Sequence, residues 1–118
     1  MGGSFSASIE AFIGVGSNVD PEQNILAALP EIESRVRVLD ASRFYLNPAL
    51  APDRRELPPF VNGVLKIRTG LTPSDLKYGV LRNVERRVQR SRTGDRYGPR
   101  TLDLDLLAYG DIEVESDG

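Results

Sequence analysis

Two helix starts built alike, Asp20-Pro21 and Thr72-Pro73, each follow a run of strand-type residues, and this arrangement leaves few folds open. Proline at the first helical position has its φ already set and needs no N–H, so each pair marks an N-terminus. Asp20 with Gln23, and Thr72 with Asp75, stand at capping-box spacing. After the first start, Ile25, Leu26, Leu29, Ile32 and Val36 recur at helical intervals, and Pro30 is expected to kink or shorten the helix. After the second, Leu76, Val80, Leu81, Val84 and Val88 form an apolar stripe that should run to about Arg90.

The segments between these helices read as strands. Ile9 to Val15 is mostly apolar, and Gly14 and Gly16 are expected to permit a tight turn through Ser17-Asn18. Val36 to Leu46 holds a strand around Phe44 and Tyr45, and Phe60 to Thr69 alternates apolar with polar positions. Thr101 to Tyr109 sets Leu102, Leu104 and Leu106 against Asp103 and Asp105. Asn47 to Pro59, with four prolines, is predicted to be a long loop of the kind that often carries function. Ser91 to Arg100 is a second loop, and Ile112 and Val114 alternate with acids but have no evident strand to pair with. The order β-α-β-β-α-β predicts an α+β, ferredoxin-like fold: a four-stranded antiparallel sheet with two helices on one face. Residues 1–118 are expected to form one domain, with 1–7 a tag or disordered lead and 111–118 a tail.

Composition then narrows the chemistry. The 118 residues contain no cysteine and no histidine, which removes thiolate zinc sites, thiol nucleophiles and Ser-His-Asp catalysis. No apolar run is long enough to cross a bilayer, and the first residues lack the basic and apolar regions of a secretory signal, so a cytoplasmic protein is expected. The net charge of −2 gives no general attraction to nucleic acid or membrane. The charges are nonetheless segregated. Seven arginines lie between Arg82 and Arg100, and six acids with no base follow from Asp103 onward.

Asp103 and Asp105, at i and i+2 on a strand, place both carboxylates on one face, where they could share a hard cation such as Mg²⁺. Taken alone, the pair reads first as the solvent half of an alternating strand. Arg86, Arg90, Arg92, Arg96 and Arg100 change that weighting, because guanidinium groups match phosphate oxygens two at a time and flank the same loop as the acids. Ile13 to Asn18 is glycine-rich but has neither the Lys-Ser/Thr of a P-loop nor a third dinucleotide glycine. Phe60 and Asn62 offer a ring to stack on a flat ligand and an amide to pair with it; taken alone, Phe60 reads first as a core residue.

Four segments together resemble the hydroxymethyl-dihydropterin pyrophosphokinase family of the folate pathway. They are Phe12-Ile-Gly-Val-Gly-Ser-Asn18, Phe44-Tyr-Leu-Asn-Pro48, Phe60-Val-Asn62 and Tyr97-Gly-Pro-Arg-Thr-Leu-Asp-Leu-Asp105, the last close to a family signature. The resemblance implies transfer of a diphosphate from ATP to 6-hydroxymethyl-7,8-dihydropterin, releasing AMP. It further implies two Mg²⁺ ions on Asp103 and Asp105, and catalytic arginines at Arg90, Arg92 and Arg100. Glu85, Arg90, Arg100 and Leu106 would meet the nucleotide. Asn47, Pro48, Leu50, Phe60, Asn62 and Tyr97 would meet the pterin. Tyr97 stands where the family has Trp, Ala49 and Ala51 replace a Pro and a Gly, and Gln89 replaces a Gly. Relatives continue past the point that Gly118 matches, so the sequence is expected to be a short form without the usual C-terminal segment, either a shortened natural relative or a fragment. The expected partners are ATP and the pterin, with a homo-oligomer as a further expectation and neither nucleic acid nor membrane. A pterin- or nucleotide-binding module without turnover, and a ferredoxin-like assembly domain, are the alternatives.

Overall fold

The computed structural model describes residues 8–50, 56–93 and 102–113. Its centre is strand β1 (Ile9–Ser17), which pairs antiparallel with β4 (Glu56–Thr69) on one side and β5 (Asp103–Tyr109) on the other. Strands β2 (Arg37–Ala41) and β3 (Tyr45–Leu50) both pair with β4, and β6 (Ile112–Glu113) closes the far edge on β5. Helix α1 (Pro21–Glu33) and a π-helical stretch, Asp75–Leu81, that runs into α2 (Arg82–Thr93) complete the elements of the described residues. The expected α+β frame of antiparallel strands with two helices is present, and the sheet carries extra short strands.

Alternation explains which sheet face is covered. Ala11, Ile13 and Val15 of β1, Leu65 and Ile67 of β4, and Leu104 and Leu106 of β5 all point to one side and are buried. Ile25, Ala28 and Ile32 of α1 meet them, as do Leu76, Val80, Leu81, Val84 and Val88 of the second helical segment. Each such Val, Leu or Ile side chain contributes about 1.5–3 kcal/mol by leaving water. The stripe expected after Pro73 is thus buried in full. In α1 the stripe is narrower than expected, since Leu26 is 60% exposed.

The two helix starts differ. Thr72 accepts the Asp75 N–H on its Oγ1 at 3.1 Å, as its spacing predicts. Asp20 takes the N-cap position in the left-handed region, with φ 43°, and makes no side-chain cap. Its carbonyl instead accepts the Asn24 N–H at 3.0 Å. Left-handed backbone is tolerated by Asp, but the rotated residue no longer offers its carboxylate to the first turn.

Four further expectations are corrected. Pro30 does not end α1, which continues to Glu33; Pro30 sits in the last turn, and its own carbonyl accepts the Ser34 N–H at 3.0 Å. The Asn47–Pro59 segment is not one long loop. Its ends belong to β3 and β4, paired as Asn47 with Phe60 and Leu50 with Glu56, while 51–55 lie outside the described residues. Gly14 and Gly16 lie within β1 and not in a turn. Ile112–Glu113 does find a partner. Gly110, with φ 59°, opens a two-residue hairpin turn that returns Ile112 to Tyr109. The lead 1–7 and the end of the expected tail, 114–118, lie outside the described residues.

Two contacts generate predictions. A methyl group on Gly63 would sit 2.7 Å from atoms of the Phe44 ring, which cannot swing aside as a flexible chain end can. Gly63→Ala should therefore destabilise the fold by about 1–3 kcal/mol in urea unfolding. On the surface, Glu31 bonds Arg35, just past the end of its own helix, at 2.9 Å and Arg87 of α2 at 3.0 Å. The Arg35 hydrogen bond first, then Arg87, holds its carboxyl below the ordinary glutamate range. A lowered folded-state value contributes stability above the unfolded value of about 4.3, lost as pH falls through the folded one. Glu31→Gln should be less stable than the parent at pH 7, and the gap should close on acidification.

Candidate functional site

The uncovered face of the sheet collects the residues that the sequence singled out. On β5, burial of Leu102, Leu104 and Leu106 sends Asp103 and Asp105 to the opposite side, where Asp103 is half-buried and Asp105 exposed. On β4, Phe60 and Asn62 share that side, out of phase with buried Leu65 and Ile67. β1 joins them: Gly16 pairs with Asn62 in one direction and with Asp103 in the other. Tyr45 of β3 pairs with Asn62 from its second edge, so Tyr45, Asn62, Gly16 and Asp103 form one row across four strands. With strands about 4.8 Å apart, Asn62 and Asp103 stand about 10 Å from each other across a residue without a side chain.

Gly16 is the floor of this row. A Cβ there would lie 2.7 Å from Asn62 Oδ1 and 3.9 Å from the Phe60 ring, so the amide and the ring lean over the space a side chain would take. Gly14 pairs with Asp105 one row along, and Leu107 covers it. Neither glycine is needed for a turn; Gly16 keeps the strip between amide and acids low, while Leu107 fills the space above Gly14. Nothing in local sequence marks that use, because it depends on the register of three strands.

Glu85 lies around the edge of β5, on α2. Its Oε2 accepts the Leu104 N–H at 2.7 Å and an Arg82 Nη1 hydrogen at 2.9 Å. The same Arg82 nitrogen donates to the Leu104 carbonyl at 2.9 Å. Burial pushes the Glu85 carboxyl above its ordinary value, against the bonds from Leu104 and Arg82 that favour its charge. Arg82 was one of seven clustered arginines in the sequence; its i, i+3 spacing to Glu85 is the signal that could have set it apart. Leu106 faces the core, on the covered side.

The remaining expected residues fall as follows. Asn47, Pro48 and Leu50 lie on the β3 backbone, adjoining the strand that carries Phe60. Arg90 and Arg92 lie in the last turns of α2, and Arg86 is exposed one turn before Arg90. Tyr97, Arg96 and Arg100 lie outside the described residues. Asp103 and Asp105 supply hard oxygen donors on one face, and among the described residues no third acid completes a closed cage. Such an open pair suits Mg²⁺, which takes one or two carboxylates and fills its shell with water and phosphate oxygens. An open depression of about 660 Å³ lies elsewhere, at the C-terminal end of β4, between Glu33–Arg37 and Arg68–Leu71. It contains none of these residues, and two of its arginines are engaged, Arg35 with Glu31 and Arg68 with Glu10.

Comparison with known proteins bears on this face. The family model for 7,8-dihydro-6-hydroxymethylpterin-pyrophosphokinase (HPPK) matches residues 12–115. A 2-amino-4-hydroxy-6-hydroxymethyldihydropteridine pyrophosphokinase of Synechocystis sp. is 34% identical over 108 residues, covering 89% of this chain and 53% of that protein. The enzyme of that name from Pseudomonas aeruginosa is 38% identical, covering 85% and 61%. That of Haemophilus influenzae is 38% identical, covering 92% and 68%. The chain thus spans between about half and two thirds of the length of these curated relatives.

The glycine floor can be tested without any ligand. In Gly16→Ala the new methyl must displace the Asn62 amide, the free end of a flexible side chain. The Asn62 side-chain NH₂ resonances should shift, while stability changes by no more than about 0.5 kcal/mol.

Proposed function

The chain belongs to the 7,8-dihydro-6-hydroxymethylpterin-pyrophosphokinase family, and from that premise we propose that it transfers the terminal diphosphate of ATP to 6-hydroxymethyl-7,8-dihydropterin. The observation that carries the reading is the single row that sets Asn62 and Asp103 on either side of Gly16. It puts a hydrogen-bonding amide and a ring at one end of a shallow strip, and two carboxylates at the other. A flat heterocycle at the Phe60 and Asn62 end would present its hydroxymethyl arm toward the acids.

In the proposed reaction the hydroxymethyl oxygen bonds to the β-phosphorus as that phosphorus loses its bond to the oxygen shared with the α-phosphorus. AMP departs with that oxygen, and the hydroxyl proton goes to water. Such a transfer asks for positioning and charge neutralisation more than for a strong base, so a chain without His or Cys is equipped for it. Asp103 and Asp105 are the proposed holders of two Mg²⁺ ions, which when bound would neutralise phosphate charge. Arg90, Arg92 and Arg100 are proposed to grip the phosphates, and Asn47, Pro48, Leu50 and Tyr97 to line the pterin side. Glu85 and Leu106 mark the α2 flank of β5, where the nucleotide is proposed to lie. Among the described residues no helix is long and apolar enough to cross a membrane.

Mixing the protein with ATP, Mg²⁺ and the hydroxymethyl-dihydropterin should yield AMP and the pterin diphosphate in equal amounts. Asp103→Asn and Asp105→Asn should each lower kcat by at least about 100-fold with the fold intact, since neither side chain is in the core. Asn62→Ala should raise the pterin KM by up to about tenfold, the worth of one hydrogen bond with a buried edge. Calorimetric binding of pterin or ATP without AMP would identify a binding module, and neither binding nor turnover would sink the proposal.

A further inference from the structure

We infer that Arg82 and Glu85 together act as a positioning device for the two acids of β5, holding the backbone between them in the geometry a divalent cation needs. The inference rests on the reading that Asp103 and Asp105 hold the metal. Its ground is the edge of β5. One side of this strand pairs with β1 along its length, but the other meets β6 only at Ala108 and Tyr109. Among the described residues, then, no strand lies beside the stretch that carries the acids on that edge, and an unpaired edge is free to twist or to recruit another strand.

At one residue of this edge Arg82 and Glu85 do what a neighbouring strand would do. A neighbouring strand would give Leu104 an acceptor for its N–H and a donor for its carbonyl. Glu85 Oε2 supplies the first at 2.7 Å and Arg82 Nη1 the second at 2.9 Å. The ion pair between them, at 2.9 Å, holds the two substitutes to each other. These two backbone groups are not arbitrary. The Leu104 N–H belongs to the peptide plane that joins Asp103 to Leu104, and its carbonyl to the plane that joins Leu104 to Asp105. They are the two planes between the acids, so fixing both fixes the relative direction of the two side chains.

The surroundings strengthen the constraint. Glu85 and Arg82 side chains are only 17% and 29% exposed, so water competes little for these bonds. Leu104 itself is buried to 1%, which anchors the same residue from the core side. Val84 and Val88, both buried, hold this face of α2 against the sheet. Partners that orient metal ligands in this indirect way are commonly worth about 10–100-fold in metal affinity.

The test uses the full chain with Mn²⁺ alone as the probe, followed by paramagnetic broadening of the Asp103–Asp105 amide signals. Arg82→Met and Glu85→Ala should raise the Mn²⁺ midpoint about tenfold, and the Leu104 amide should exchange with solvent faster. Glu85→Gln keeps an acceptor for the Leu104 N–H and should stay close to the parent. Arg87→Ala, whose partner is Glu31 on α1, should change neither readout. Should Glu85→Ala fail to fold by circular dichroism, Arg82→Met against Glu85→Gln makes the same comparison. Faster exchange at Leu104 with an unchanged midpoint would reduce the pair to a cover for the strand edge and overturn the inference. If the parent itself shows no broadening at Asp103–Asp105, the metal reading fails and this inference falls with it; broadening in the parent that the variants match removes the inference alone.

Discussion

The packing of three leucines governs where the chemistry can be. Leu102, Leu104 and Leu106 are each buried beneath the helices, and a strand has only two faces. Once they point inward, Asp103 and Asp105 must point outward. A slip of one residue would bury both carboxylates and expose the leucines. That exchange would cost several kcal/mol per stranded charge on top of the lost apolar burial. The position of the acids is thus as secure as the core.

That security extends across the sheet because β1 is paired on both sides. Its inward residues Ala11, Ile13 and Val15 fix its phase, and its phase places Gly14 and Gly16 opposite the acids. The same strand fixes Asn62 through the Gly16 pairing. A side chain at Gly16 would fill the strip between amide and carboxylate, so the glycine works here through the volume it leaves empty. At the outer edge of the described sheet a helix-borne ion pair takes over the bonding of Leu104.

Much of this was legible in the residues. The alternation of β5, the stripe from Leu76 to Val88 and the cap at Thr72 all express local periodicity, which a sequence displays directly. Where the reading went astray, a longer-range partner had overridden a local signal. Prolines at 48, 52, 58 and 59 suggested an open loop, yet strand pairing reaches in from both ends, as far as Leu50 and Glu56. Pro30 forfeits one N–H bond near the end of α1, yet the helix runs on to Glu33, because packing of Ile32 in the core outweighs that single loss. Glycines 14 and 16 looked like turn residues because their value is evident only beside β4 and β5. Ile112 seemed unpaired because nothing local announces that Gly110 adopts φ 59° and folds it back.

The sequence by itself determined the α+β frame of antiparallel strands and two helices, the faces that the main elements bury, and the family to which Phe12–Asp105 bears its likeness. These follow from side-chain period and motif, which are properties of neighbours along the chain. Only the tertiary structure decided that Asn62, Gly16 and Asp103 share a row, and that Arg82 and Glu85 bond the backbone of Leu104. Both depend on which residues meet across strands far apart in sequence, and register is set by the whole core at once rather than by any single segment.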